Sequence, residues 1–253
     1  MRLTLILIPL VGAVASLCFG LPYITSVFLI YLLPGIYVDA LKGRRSNYVW
    51  HVSCASIIGI PFALVVDYLG IKSGLWYVPS SIFQWRLLGC IPIEDLFWMI
   101  AAVFTIISLR TSQTVGTEER PNRQTLRNYL IVASLFLLGF FISIHVFPNA
   151  FILRAAWAYS IIGVLFFGIP ATVWISQNQM ESVKILPVVA YFFFCTLLFE
   201  LAAVHLHDWE FKGQYLLPTF NLFGSGPIPY EELFFVGLVG PVAGIAMYEM
   251  LSC

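Results

Sequence analysis

Hydrophobic residues in this chain come in long uncharged runs, not in the alternating patterns of soluble helices and strands. A membrane-spanning helix needs about 20 mostly apolar residues, and eight stretches approach that. Leu3 to Val38 carries no charge, and the turn signal Gly20-Leu21-Pro22 divides it into two short spans. Further spans are predicted at Tyr48 to Ile71, Pro92 to Arg110, Asn128 to Val146, Ala155 to Ser176, Ile185 to Val204 and Pro229 to Leu251. The pattern predicts an all-α integral membrane protein of about eight helices, or seven if the first run is not divided. Arg2, the apolar run and the small residues Ala13 and Ala15 also fit a signal peptide. More hydrophobic sequence follows at once, and the segment has a counterpart later in the chain.

Composition agrees: 60% of the 253 residues are hydrophobic and 10% charged. Thirteen basic and thirteen acidic residues balance, leaving no surplus to hold nucleic acid. Cys18, Cys54, Cys90, Cys195 and Cys253 are scattered, without the spacing of a metal site or a disulfide framework. Counted by alternate loops, Arg2, Lys42, Arg44, Arg45, Arg110, Arg120, Arg123, Arg127 and Lys184 fall on one side, and Lys72, Arg86, Arg154 and Lys212 on the other. The positive-inside rule then puts both termini in the cytoplasm.

The few acids recur in an internal repeat. Asp67 stands nine residues before Trp76, and Pro92-Ile93-Glu94-Asp95-Leu96-Phe97-Trp98 follows; Glu200 stands nine before Trp209, and Pro229-Tyr230-Glu231-Glu232-Leu233-Phe234-Phe235 follows. A four-residue loop insertion accounts for the difference in Trp-to-motif spacing, 18 against 22. This divides the chain into four-helix units at 1–110 and 128–253, joined by a polar cytoplasmic linker at 111–127. An even number of spans per unit makes the repeats parallel, related by an axis along the membrane normal. The fused halves then form an internal pseudo-dimer.

Proline at the first helical position and acids in the first turn are ordinary helix starts. Duplication beside aromatic loops and a further acid favours function, because ionisable residues in a membrane interior mark functional sites. Glu94, Asp95, Glu231 and Glu232 are the candidate catalytic acids, with Glu94 and Glu231 expected to face each other or a shared cavity. Asp67 and Glu200 are supporting or relay acids. Burial and a neighbouring carboxyl favour a retained proton, while a helix N-terminus opposes both. A protonated acid in a dry aromatic pocket is suited to protonating an alkene, and aromatic faces stabilise the resulting carbocation. Trp76, Phe97, Trp98, Trp209, Phe234 and Phe235 are the candidate wall, with the two Trp loops folding back over the acids.

At these residues the chain resembles the integral-membrane lycopene cyclases of the heterodimeric or fused kind. The resemblance rests on Asp67-Tyr68-Leu69 through Gly74-Leu75-Trp76-Tyr77, on Ile91 to Phe97, and on Glu200 through Asp208-Trp209-Glu210-Phe211 to Phe235. Glu94-Asp95 stands where Glu-Glu is common, and Trp98 where Phe is. The resemblance implies a redox-neutral cyclisation of acyclic ψ end groups on a polyene such as lycopene. No cofactor or metal is implied, and the absence of a Gly-x-Gly-x-x-Gly fingerprint agrees. Membrane terpene cyclases acting on prenylated small molecules share the chemistry, and a proton-coupled transporter with parallel repeats shares the architecture. Broken helices with unwound centres would favour transport; aromatic residues around the acids favour an apolar substrate.

Overall fold

The computed structural model describes residues 3–43, 47–79, 81–113 and 122–252. Residues 114–121 of the predicted linker, together with Arg2, Arg44, Arg45 and Cys253, lie outside them, Arg120 being among the linker residues. Eight long helical rods account for most of the described chain: α1 Leu3–Phe19, α2 Tyr23–Lys42, α3 Tyr48–Lys72, α4 Ile93–Gln113, α5 Arg123–Val146, α6 Ala158–Gln177, α8 Leu186–His205 and α9 Tyr230–Ser252, with a short α7, Gln179–Lys184, before α8. Six of them, α2, α3, α5, α6, α8 and α9, are long and apolar enough to cross a membrane. The chain is therefore a multi-pass, all-α membrane protein. The rod α1 has 17 residues, and α4 carries Glu94, Asp95 and Arg110.

Local chemistry explains where rods begin and change pitch. Gly20, with φ of 58°, and Pro22 make the turn between α1 and α2. Asn122 caps α5, its side chain accepting from the Gln124 and Thr125 N–H groups. Three π-helical segments, Phe28–Leu32, Val164–Gly168 and Leu233–Val239, lie just before Pro34, Pro170 and Pro241. Proline donates no N–H and its ring clashes with the carbonyl four residues back. Those carbonyls belong to Ile30, Phe166 and Gly237, each within a π segment, so the widened turns absorb the prolines without breaking the rods. The first two segments, 28–32 and 164–168, stand at the same interval as Pro34 and Pro170.

The core is one apolar cluster drawn from both halves of the chain, with a smaller satellite around Tyr68, Ile91 and Phe140. The most peripheral rod is α5, with only 11% of its apolar window buried. At one end of the bundle Arg110 bridges Glu249 and Glu181, and Asp39 pairs with His51 and Lys42. At the other end the chain crosses between rods in two loops that pair as short strands. Trp76–Tyr77 runs antiparallel to Glu210–Phe211, with Trp76 opposite Phe211 and Tyr77 opposite Glu210. Tyr77 thus meets the residue 133 positions later, the interval that separates Asp67 from Glu200.

Two glycines make room for aromatic rings. A Cβ on Gly70 would stand 2.0 Å from the Trp76 ring, and one on Gly163 would stand 2.3 Å from the Phe235 ring. Gly70→Ala and Gly163→Ala should each destabilise the fold by about 1–3 kcal/mol by overpacking. Gly139→Ala in α5, with nothing within 4 Å, should be neutral or slightly stabilising. Thermal unfolding in detergent distinguishes them, and equal behaviour of all three would contradict this account of the glycines.

Candidate functional site

Both Pro-x-acid-acid motifs open a rod, α4 and α9, at the end covered by the paired loops. In each motif the two acids do different things, because adjacent helical positions point in directions about 100° apart. Glu94 turns outward to the loop before it, accepting from the Ser81 hydroxyl at 2.8 Å and from the Ile82 and Phe83 N–H groups at 2.6 and 3.3 Å. Glu231 accepts from the Leu217 N–H at 2.7 Å. Both are buried. Glu94 and Glu231 thus act as acceptors for loop donors, and neither lines the acid chamber, although the sequence suggested that they face each other or a shared cavity.

The second acids point inward. Glu232 accepts a hydrogen bond from the Tyr159 hydroxyl and lines a chamber with Asp67. Asp95 is fully buried, neither of its oxygens has a donor in hydrogen-bonding geometry, and the Tyr23 hydroxyl is its electrostatic neighbour. Glu200 is buried as well, with one oxygen unpartnered. Electrostatic neighbours run Asp95, Asp67, Glu232, Glu200, so acids from both halves of the chain meet at the Asp67–Glu232 junction. Among the described residues neither Asp67 nor Glu232 is in an ion pair. Arg86 lies near Asp95 and braces the loop through the Val78 and Cys90 carbonyls.

Aromatic rings close the chamber. Trp76 and Trp209 stack at 6.1 Å between centroids and 11° between planes, and both are buried. Tyr159 packs edge-on to Trp76 at 5.5 Å, and Trp98 lies 6.2 Å from Trp209. Each such contact contributes about 0.5–1.5 kcal/mol beyond area burial. The enclosed space is about 20 Å³, little more than a water molecule occupies. Phe97 and Phe234 do not line it, and Phe234 is half exposed. The reason is helical: three and four residues after Asp95 come Trp98 and Met99, and after Glu232 come Phe235 and Val236, whereas Phe97 and Phe234 lie two positions on, across the helix. Phe235 backs Tyr159 at 6.5 Å.

Two site residues escaped the sequence reading. Tyr159 and Tyr23 each stand eleven residues before the proline that follows a π segment, Pro170 and Pro34. Extending the self-comparison upstream of the acids would have found them. No family model, curated protein or solved structure matches this chain.

The division of labour within the motif is testable without an activity assay. Glu94→Gln keeps a carbonyl acceptor for the three loop donors, whereas Glu94→Ala removes the acceptor of all three part-buried bonds, each contributing about 0.5–1.5 kcal/mol. The Ala variant should show faster proteolysis of the loop and altered Trp emission, and the Gln variant should remain near wild type. Identical behaviour of the two would overturn the anchoring role.

Proposed function

We propose that this protein is a membrane carotenoid cyclase of the lycopene cyclase type, performing a redox-neutral isomerisation. The observation that carries the reading is the Asp67–Glu232–Tyr159 group, buried in an aromatic chamber at the junction of the two halves. Carboxyls brought this close without a cation avoid a large desolvation and repulsion penalty only by retaining protons. One of them transfers its proton to the CH carbon of the terminal trisubstituted alkene, leaving a tertiary cation on the dimethyl-substituted carbon. The next alkene of the chain donates its π electrons to form the ring bond, and a carboxylate removes a proton to set the ring double bond. One proton enters and one leaves, and no oxidant, reductant or metal takes part. The Trp76, Trp98 and Trp209 faces stabilise the cation, while water is too scarce to trap it as an alcohol.

In this reading the eight rods are two parallel four-helix repeats, supported by the matching intervals of the acids, tryptophans, tyrosines, π segments and prolines. Lys42, Arg110 and Lys184 are linked through Thr111 and Glu181 at one end of the bundle, which supports cytoplasmic termini on that side. A transporter is disfavoured because none of the described rods is unwound at mid-length.

Expression in a lycopene-accumulating bacterium tests the activity: the expected result is conversion of lycopene to monocyclic or bicyclic carotenoid, and unchanged lycopene with good membrane expression would sink the proposal. Asp67→Asn and Glu232→Gln preserve shape but not proton transfer, and should lower conversion by about 10²–10⁴-fold. Glu181→Gln, in a partly exposed ion pair, should leave conversion near wild type. Trp76→Phe and Trp209→Phe retain a ring with a weaker cation affinity. They should slow turnover or release hydroxylated products, and unchanged rate and products for both would return the indoles to a purely packing role.

A further inference from the structure

Beside the acid chamber lies a much larger cavity of about 330 Å³. The two share five wall residues, Phe62, Trp98, Met99, Phe167 and Val236, so they adjoin across these side chains. The larger part runs away from the acids between α3, α4, α5, α6 and α9. It reaches the surface at Val132, Phe136 and Leu165, which are 65%, 53% and 53% exposed. These residues sit in the middle of α5 and α6, not at their ends. In a bilayer the opening therefore faces lipid acyl chains and not water.

The wall identifies the occupant. It contains no charged side chain, and the Tyr129 hydroxyl already donates to the Ile57 carbonyl at 3.4 Å. Apart from the unpartnered Trp98 Nε1–H at the end next to the acid chamber, nothing in the wall would compensate a ligand polar group for lost hydration, so the body of the occupant is hydrocarbon. Its volume is at the low end of about 300–1,000 Å³ for ligand pockets. A long polyene would therefore be held over part of its length, with the remainder in lipid. The chamber itself is too small for a ring-forming end group, which must react where the two spaces join, at Trp98, Phe167 and Val236.

We propose that this lateral cavity is the binding and access channel for an acyclic polyisoprenoid chain, which slides in from the lipid between α5 and α6 and presents one end to Asp67 and Glu232. The choice of a polyene over a lipid acyl chain rests on the cyclase reading. The path of the channel rests on the geometry alone.

Retention of lycopene by purified protein tests the channel separately from the chemistry. Glu232→Gln protein, isolated from lycopene-rich membranes, should carry pigment. Adding Ala102→Phe, which fills the buried part, or Val132→Trp, which blocks the lipid-facing mouth, should lower the pigment per protein about tenfold. Val132 is exposed, so its replacement keeps the test valid if the Ala102 variant fails to fold. Pigment lost in the blocked variants, with no cyclisation by the wild type, would uphold the channel and defeat the cyclase reading. Cyclisation by the wild type, with conversion and pigment unaffected by Ala102→Phe and Val132→Trp, would uphold the reading and defeat the channel. A phospholipid found in the purified protein in place of lycopene would also defeat it.

Discussion

Polar atoms inside a membrane bundle have no water to fall back on, so each must find a partner in the protein, hold a proton, or serve a purpose that justifies its cost. That constraint sorts most of the acids described here. Glu94 accepts from three loop donors and Glu231 from one, through a single oxygen, so each ties down its loop. Asp39 is matched by His51 and Lys42, and Glu249 by Arg110 and Trp174. Asp67, Asp95, Glu200 and Glu232 cluster without a matching set of donors or cations. It is their mutual proximity without a matching set of cations, more than their burial, that sets them apart as candidates for proton chemistry.

The loops and the acids depend on one another. Without Glu94 and Glu231 to collect their N–H groups, the loops would open toward water; without the loops, the inner acids would be solvated and chemically ordinary. The stacked Trp76–Trp209 pair closes the junction because the two loops cross at equivalent positions, joined by a two-residue ladder. A small polar interaction at the start of each helix thereby controls the dryness of the chamber one residue further on.

The rods were legible because a spanning helix announces itself by length and apolarity, and the turn at Gly20-Leu21-Pro22 was legible because glycine and proline leave few backbone choices. The acids stood out through duplication. Hydropathy could not separate Glu94 from Asp95, since both share a helix start; the distinction lies in the 100° between neighbouring side chains. The same angle explains why Phe97 and Phe234, adjacent to the motif in sequence, turn away from it. Tyr23 and Tyr159 were hidden because a lone tyrosine in an apolar span resembles an interface anchor. The π segments had a readable cause in Pro34, Pro170 and Pro241, yet Pro61 sits inside α3 without one, so proline alone does not decide the turn.

The two acid motifs carry similar chemical groups, but their surroundings differ. Val66 and Gly163 line the acid chamber, and at the corresponding intervals stand Phe199 and Val27. Phe199 is buried against Tyr23, Tyr31 and Trp98 at 5.8, 5.3 and 6.4 Å, so a ring occupies the region beside Tyr23. The space around Asp67 and Glu232, by contrast, adjoins the lateral cavity. A symmetric pair of sites would let both ends of a long substrate react in one visit. Here Val66 and Gly163 leave room on one side and Phe199 fills the other, so under the proposed cyclase reading a substrate with two reactive ends would leave and return reversed for the second to be processed.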